Sequence, residues 1–257
     1  MLATVLCMVE ELVGTFESAG RVMVYSQNGS PGPVSFVLVH GIGMGHRVFR
    51  DVAEKLGETG LVFAVDLPEF GDSPEPPTVM DMPECGDFLA EFVRSLPVVD
   101  PLLVGHSMGT QVVVEAVARH PGLVSRVVLI APTVNLKERT ARMQVWRMVQ
   151  DLAGESPKVL YLGLVQYLKA GPRWFLRKLD QMLHHQVEDV LPEVFANVLV
   201  IRGAEDRVCP RDWVAQVTSL LPNATMQEVA GRGHEAMIRS PDPVAEMIID
   251  HAAHHIR

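Results

Sequence analysis

Short β-branched and aliphatic runs alternate with helix-like stretches along most of this chain, and that alternation leaves few folds open. Residues 34–39, 61–65, 102–104, 126–130 and 197–201 read as short strands, most of them apolar enough to be buried on both faces. Residues 21–26 alternate apolar and polar side chains, as a half-buried strand does, and residues 225–229 read as a further strand. Between them, residues 47–57, 81–96, 110–120, 211–220 and 243–255 read as helices, with Pro83 and Gly86 weakening the start of the second. Strand–helix alternation implies a parallel sheet covered by helices on both faces, an α/β architecture. The alternation stops between residues 133 and 195, where Met, Leu, Trp and Tyr recur at helical spacings and no strand is legible. Ligands of such sheets bind at the carboxyl ends of the strands, so this insert is expected to lie over that edge as a cap. No repeat and no flexible linker interrupts the chain. The 257 residues therefore read as one domain, with a core of about 1–132 and 196–257 and a helical cap of about 133–195.

Charge and cysteines narrow the function classes. A net charge of -9 argues against nucleic acid or an anionic membrane as the main partner. Cys7, Cys85 and Cys209 are far apart, odd in number and without metal-site spacing, so free thiols in a reducing, cytoplasmic setting are expected. The apolar start of the chain is short, lacks a basic flank and runs into Glu10 and Glu11, unlike a secretory signal. No apolar run reaches the roughly 18 residues of a membrane span, so no integral membrane association is expected.

The chemistry is concentrated at Gly105-His106-Ser107-Met108-Gly109, directly between a strand and a helix. A sharp turn there requires small residues two before and two after the serine, and it exposes that serine at a helix N-terminus. A serine hydroxyl is a weak nucleophile without a base, an orienting acid and donors for the oxyanion. His234, in a Gly-flanked loop after the last strand, is the candidate base. Asp206, just past the strand of residues 197–201, is the candidate acid, with Glu205 its local competitor. The oxyanion donors are expected to be the N–H of Met108 and an N–H of the loop His40-Gly41-Ile42-Gly43, with Ile42 preferred and Gly43 next. The Met108 side chain is expected to border the substrate. That glycine-rich loop lacks both the dinucleotide-binding spacing and a Walker A lysine, so a phosphate site is set aside.

Taken together, these motifs resemble the α/β-hydrolase superfamily, in its capped bacterial esterase-like form. The resemblance rests on His40-Gly41 after a strand, Asp66-x-Pro68-x-x-Gly71-x-Ser73, Gly105-x-Ser107-x-Gly109, Gly203-x-x-Asp206-x-x-x-Pro210 and Gly233-His234, all in order. It implies a mostly parallel eight-stranded sheet flanked by helices, a helical cap inserted after strand six, and no cofactor or metal. Glu69 departs from it, standing where many relatives carry glycine. Asp66 and His40 read as structural. Gly43, Met44, His106, Trp146 and Tyr167 are further candidates for contacting substrate.

A serine nucleophile implies acyl transfer, and the expected function is cleavage of small to medium, largely apolar carboxylic esters. Diketone, lactone, thioester and amide hydrolysis, and perhydrolysis, remain compatible with the same residues. Haloalkane and epoxide chemistry call for an acid nucleophile, and residue 107 is serine. A non-catalytic relative that only binds a small molecule would be expected to lack a member of the triad, and none is missing.

Overall fold

The structure is a computed structural model, and it describes residues 12–152 and 172–253. One sheet organises it, from strands β1 Leu12–Ser18, β2 Arg21–Asn28, β3 Phe36–Val39, β4 Val62–Asp66, β5 Leu102–His106, β6 Arg126–Ile130, β7 Asn197–Gly203 and β8 Ala224–Val229. Their spatial order is β1-β2-β4-β3-β5-β6-β7-β8. Only the β1–β2 and β2–β4 pairings are antiparallel; every pairing from β4 through β8 is parallel. β3, β4, β5 and β6 are buried along their whole length, as continuous apolar runs covered on both faces must be.

The pattern reading predicts seven strands; the eighth is β1. Gly14, Thr15, Glu17 and Ser18 dilute its apolar signal, because this edge strand is half-exposed along its length. It is held by a tight turn in which Ala19 and Gly20 both take positive φ, 51° and 74°, the geometry that suits a two-residue hairpin. Phe16 anchors it, its ring centroid lying 5.4 Å from Phe88 and 5.6 Å from Phe92.

Helices α1 Arg50–Gly57, α2 Met82–Ser95 and α3 Met108–Arg119 fill the first crossovers. The expected weakness at the start of α2 is not found. Asp81 accepts from the Glu84 N–H at 2.8 Å while Glu84 accepts from the Asp81 N–H at 3.0 Å, a reciprocal cap. Pro83 sits in the first turn, where a missing N–H costs nothing. Gly86 lets α2 approach α3 closely: a Cβ there would lie 2.6 Å from Cβ of Glu115. The described residues between β6 and β7 hold α4 Ala141–Leu152, α5 Pro172–His184 and the short α6 Val187–Val190, and no strand. After β7 come α7 Arg211–Leu220, then α8 Ala236–Arg239 and α9 Pro241–Ala253 beyond β8. No helix among the described residues is long and apolar enough to cross a membrane.

Candidate active site

Ser107 stands between β5 and α3 with φ 52° and ψ -121°. A non-glycine residue in that region stores about 1–3 kcal/mol, which the surroundings must hold in place. They do so with hydrogen bonds and close packing. The Ser107 N–H donates to the Ile130 carbonyl at 2.9 Å, and the Ser107 carbonyl accepts from both the N–H and the hydroxyl of Thr110. A Cβ on Gly105 would come within 2.6 Å of the Gly109 carbonyl, and one on Gly109 within 2.3 Å of the Val39 carbonyl. The two glycines of the pentapeptide are thus required by contact with β3 and by the turn itself. Gly41 passes directly beside the serine, since a Cβ there would sit 3.0 Å from Cβ of Ser107. Met108, as the first residue of α3, has an N–H with no helical acceptor.

His234 Nε2 lies 3.0 Å from Ser107 Oγ, and His234 Nδ1 lies 3.0 Å from Asp206 Oδ2. The other oxygen, Asp206 Oδ1, accepts from the N–H groups of Val208 and Cys209, each at 2.8 Å. Three residues remote in sequence therefore form one hydrogen-bonded chain, all of them buried. Glu205, the competing acid, is exposed. Gly203 makes the assembly of the two loops possible: its Cβ would lie 2.2 Å from the carbonyls of both Arg232 and Gly233. Burial works against the Asp206 carboxylate, but His234 and the two backbone donors outweigh it and hold its pKa below the ordinary range. Burial likewise opposes the His234 imidazolium, and Asp206 overcomes it, raising that pKa well above the ordinary 6.5. The arrangement can take a proton from Ser107 Oγ and stabilise the imidazolium that results.

The remaining sequence candidates divide. Ile42 and Met44 are half-buried and pack against the core edge of the loop after β3, and Gly43 takes a positive φ of 70° there. His106 is a further candidate for contacting substrate. It is fully buried, and its Nε2 lies 3.2 Å from the His234 carbonyl, so it supports the His234 loop. Burial, followed by the nearby His234, pushes its pKa down to about 3, which keeps it neutral. The Met108 side chain, expected to border the substrate, is fully buried and packs within the core. Trp146 on α4 is 55% exposed, and Tyr167 lies outside the described residues. His40 holds a loop as expected, accepting from the Leu67 N–H at 3.0 Å and donating to the Gly41 carbonyl at 2.7 Å. Sequence reasoning missed two neighbours of the site. Cys209 Sγ is 3.8 Å from His234 Nδ1, and the Phe175 ring packs against Gly43. Cys209 follows Asp206 by three residues, a spacing that fits one turn; nothing local marks Phe175.

Metal-ligand atoms converge twice among the described residues, at Asp206, Cys209 and His234 and at His46, Asp66 and Asp72. In both clusters the central carboxylate already accepts N–H donors on each oxygen.

The sequence model of the Alpha/beta hydrolase family matches residues 36–247. The chain belongs to that family. This hydrolase is 25% identical over 261 residues to "Uncharacterized hydrolase YugF" of Bacillus subtilis, covering 91% of this chain and 96% of that one. It is 28% identical over 240 residues to the pimeloyl-[acyl-carrier protein] methyl ester esterase of Chromobacterium violaceum, covering 84% and 92%. The solved esterase EaEST of Exiguobacterium antarcticum superposes with a TM-score of 0.79 at 17% identity, over 93% of this chain and 98% of that chain. The strand order and directions described above are those of the α/β-hydrolase fold that the sequence motifs imply.

Proposed function

We propose that this hydrolase cleaves carboxylic esters of small to medium, largely apolar substrates through an acyl-enzyme on Ser107. The observation that carries the reading is the chain from Ser107 Oγ through His234 to Asp206, with both links at 3.0 Å. His234 takes the Ser107 proton as Oγ attacks the ester carbonyl, and Asp206 keeps the ring in the tautomer that can accept it. The developing oxyanion lies between the Met108 N–H and the N–H of Ile42. His234 then returns the proton to the leaving alcohol, and water releases the acid by the same path in reverse.

The helices between β6 and β7 act as the cap of this site. Three contacts to the core support that reading: Phe175 of α5 on Gly43, Lys178 of α5 with Glu69, and the Gln111 amide donating to the Met182 carbonyl at 3.1 Å. A family likeness to esterases agrees with the substrate class but is the weaker support.

The test pairs a fluorophosphonate probe with a panel of p-nitrophenyl esters. Wild-type protein is expected to be labelled at Ser107, and Ser107→Ala to lose labelling and at least about a thousandfold of kcat. Ser107→Ala that turned over esters at the wild-type rate would overturn the mechanism. A folded wild-type protein that neither labels nor hydrolyses any ester would overturn the function.

A further inference from the structure

Lys178 is a lysine where a lysine is costly. It lies on α5 with its side chain 1% exposed. Its Nζ is 2.9 Å from Glu69 Oε1, donates to the Met80 carbonyl at 2.9 Å, and lies 3.2 Å from Cys85 Sγ. The contact with Glu69 is close enough for strong charge attraction, although its angle is poor for a directed hydrogen bond. Glu69 is itself unusual. It takes a positive φ of 77°, and it stands where the family resemblance leads one to expect glycine. A strained glutamate on the loop after β4 and a buried lysine on α5 are individually unfavourable and make sense only together. Their joint effect is to pin α5 to the core at one point.

One turn earlier on the same helix face is Phe175. Its ring lies over the loop after β3, so that a Cβ on Gly43 would be 3.2 Å from Phe175 Cε2. Gly43 follows Ile42, the proposed second oxyanion donor. The tetrahedral carbon has four substituents: Ser107 Oγ, the oxyanion, the leaving oxygen and the acyl chain. The leaving oxygen must face His234 to be protonated, and the oxyanion must face Ile42 and Met108. The acyl chain is the remaining substituent, and we take it to run along this loop, beneath the Phe175 ring.

Resting on the ester-hydrolase reading, we propose that Phe175, held over Gly43 by the buried Lys178–Glu69 pair, sets the acyl-length limit of this enzyme. Short acyl groups fit beneath the ring and long ones are obstructed by it. Phe175 is a specificity-determining residue, and Lys178 and Glu69 are positioning residues that act through it.

The experiment measures kcat and KM for p-nitrophenyl acetate, butyrate and octanoate, together with labelling rates for short- and long-chain alkyl fluorophosphonates. The proteins are wild type, Phe175→Ala, and the double variant Lys178→Met with Glu69→Gln, which removes both charges together. Phe175→Ala is expected to raise the octanoate-to-acetate ratio of kcat/KM by about tenfold or more, mainly through a lower KM for octanoate, with the probe ratio moving the same way. The double variant is expected to shift both ratios in that direction too. A merely structural role would lower the melting temperature and leave both ratios alone. Glu69→Gln alone, which keeps two of the lysine's partners, serves in its place where the double variant does not fold. Ratios unchanged within about twofold in folded, Ser107-labelled Phe175→Ala would overturn the inference while leaving the ester reading intact. A shift in Phe175→Ala but not in a folded pair variant would overturn the role of the pair. Absence of any labelling or turnover in wild type would overturn the underlying reading, and this inference with it.

Discussion

Two buried histidine–aspartate pairs sit in this molecule, and in distance they are near copies. His234 Nδ1 meets Asp206 Oδ2 at 3.0 Å, and His46 Nδ1 meets Asp66 Oδ2 at 2.9 Å. Their surroundings differ. Asp66 also accepts from the His46 N–H at 2.5 Å and the Asp72 N–H at 2.8 Å, while its own carbonyl accepts from the Ser73 hydroxyl at 2.6 Å. Gly71 packs so close that a Cβ there would lie 2.2 Å from the Asp66 carboxyl carbon. Asp66 thus fastens the loop after β4 to the turn before α1. Asp206 is fastened in a similar way on one oxygen, but the ring it orients reaches onward to Ser107 Oγ. A histidine–aspartate pair is therefore no mark of catalysis by itself. What separates the two pairs is the Ser107 hydroxyl at the far nitrogen of His234, the nucleophile of the proposed mechanism.

The two pairs should part most sharply on substitution of their acids. Asp206→Asn is expected to lower kcat by about a thousandfold to ten-thousandfold, because the amide favours the wrong imidazole tautomer. Its effect on the melting temperature should be small next to that loss. Asp66→Asn is expected to do the reverse, costing about 2–4 kcal/mol of stability by leaving buried donors badly matched. Where it remains folded it should keep kcat within about tenfold of wild type. Denaturant melts and ester kinetics on the two variants check this, and equal kinetic losses would erase the distinction drawn here.

Next in size is the packing beneath Ser107. Gly109→Ala puts a Cβ 2.3 Å from the Val39 carbonyl, a rigid neighbour in β3. About 1–3 kcal/mol of destabilisation is expected, and because the turn must shift, activity should fall with it. The fastening side supplies a matched control in Gly45→Ala, where a Cβ would meet Asp66 Oδ1 at 2.7 Å. That variant should lose stability with little change in kcat.

These glycines also show what was legible in advance. The pentapeptide around Ser107, the loops of Asp206 and His234 and the parallel strands all carry local signals: apolar runs, small residues at turns, and an acid or histidine just past a strand. Asp206 over Glu205 was readable from the family spacing, and burial explains the choice. For His106 adjacency to Ser107 names no partner; at the end of β5 its ring is buried and meets the His234 carbonyl, a contact between loops 128 residues apart. Strand β1 was missed because an edge strand need not be apolar. The contacts of α5 were invisible for a different reason. Phe175 on Gly43 and Lys178 with Glu69 join positions about a hundred residues or more apart, and no spacing within a helix encodes them.

pH should act on this hydrolase through the His234–Asp206 pair. In the proposed mechanism His234 is the base and must be neutral; Asp206 raises its pKa well above 6.5, so kcat/KM should still be climbing with pH beyond 6.5. The limb belongs to the His234–Asp206 pair as a unit. Stability should run the opposite way. A histidine whose folded pKa is raised contributes stability that is fully present below the unfolded value of about 6.5 and is lost as pH rises through the folded value. Melting temperature should therefore fall over the window in which activity rises. His106, held neutral by its pKa of about 3, adds no limb there. A kcat/KM profile already flat by pH 6 would contradict the raised imidazole.

The smallest expected effect concerns the thiol that only the reacting pair possesses. Cys209 is buried, donates to the Pro132 carbonyl at 3.2 Å and lies 3.8 Å from His234 Nδ1. Burial, reinforced by Asp206, pushes its pKa up to about 12, so it carries no charge at neutral pH. Its backbone N–H, not its sulfur, supports Asp206. Cys209→Ser keeps a donor for the Pro132 carbonyl and should leave kcat/KM within about threefold of wild type. Cys209→Ala removes that donor and opens a small void, and should cost about 1 kcal/mol while sparing the pH profile. If Cys209→Ala instead moved the acid limb of kcat/KM substantially, the sulfur would be tuning His234, and the reacting pair would have to be redrawn as a group of three around the imidazole.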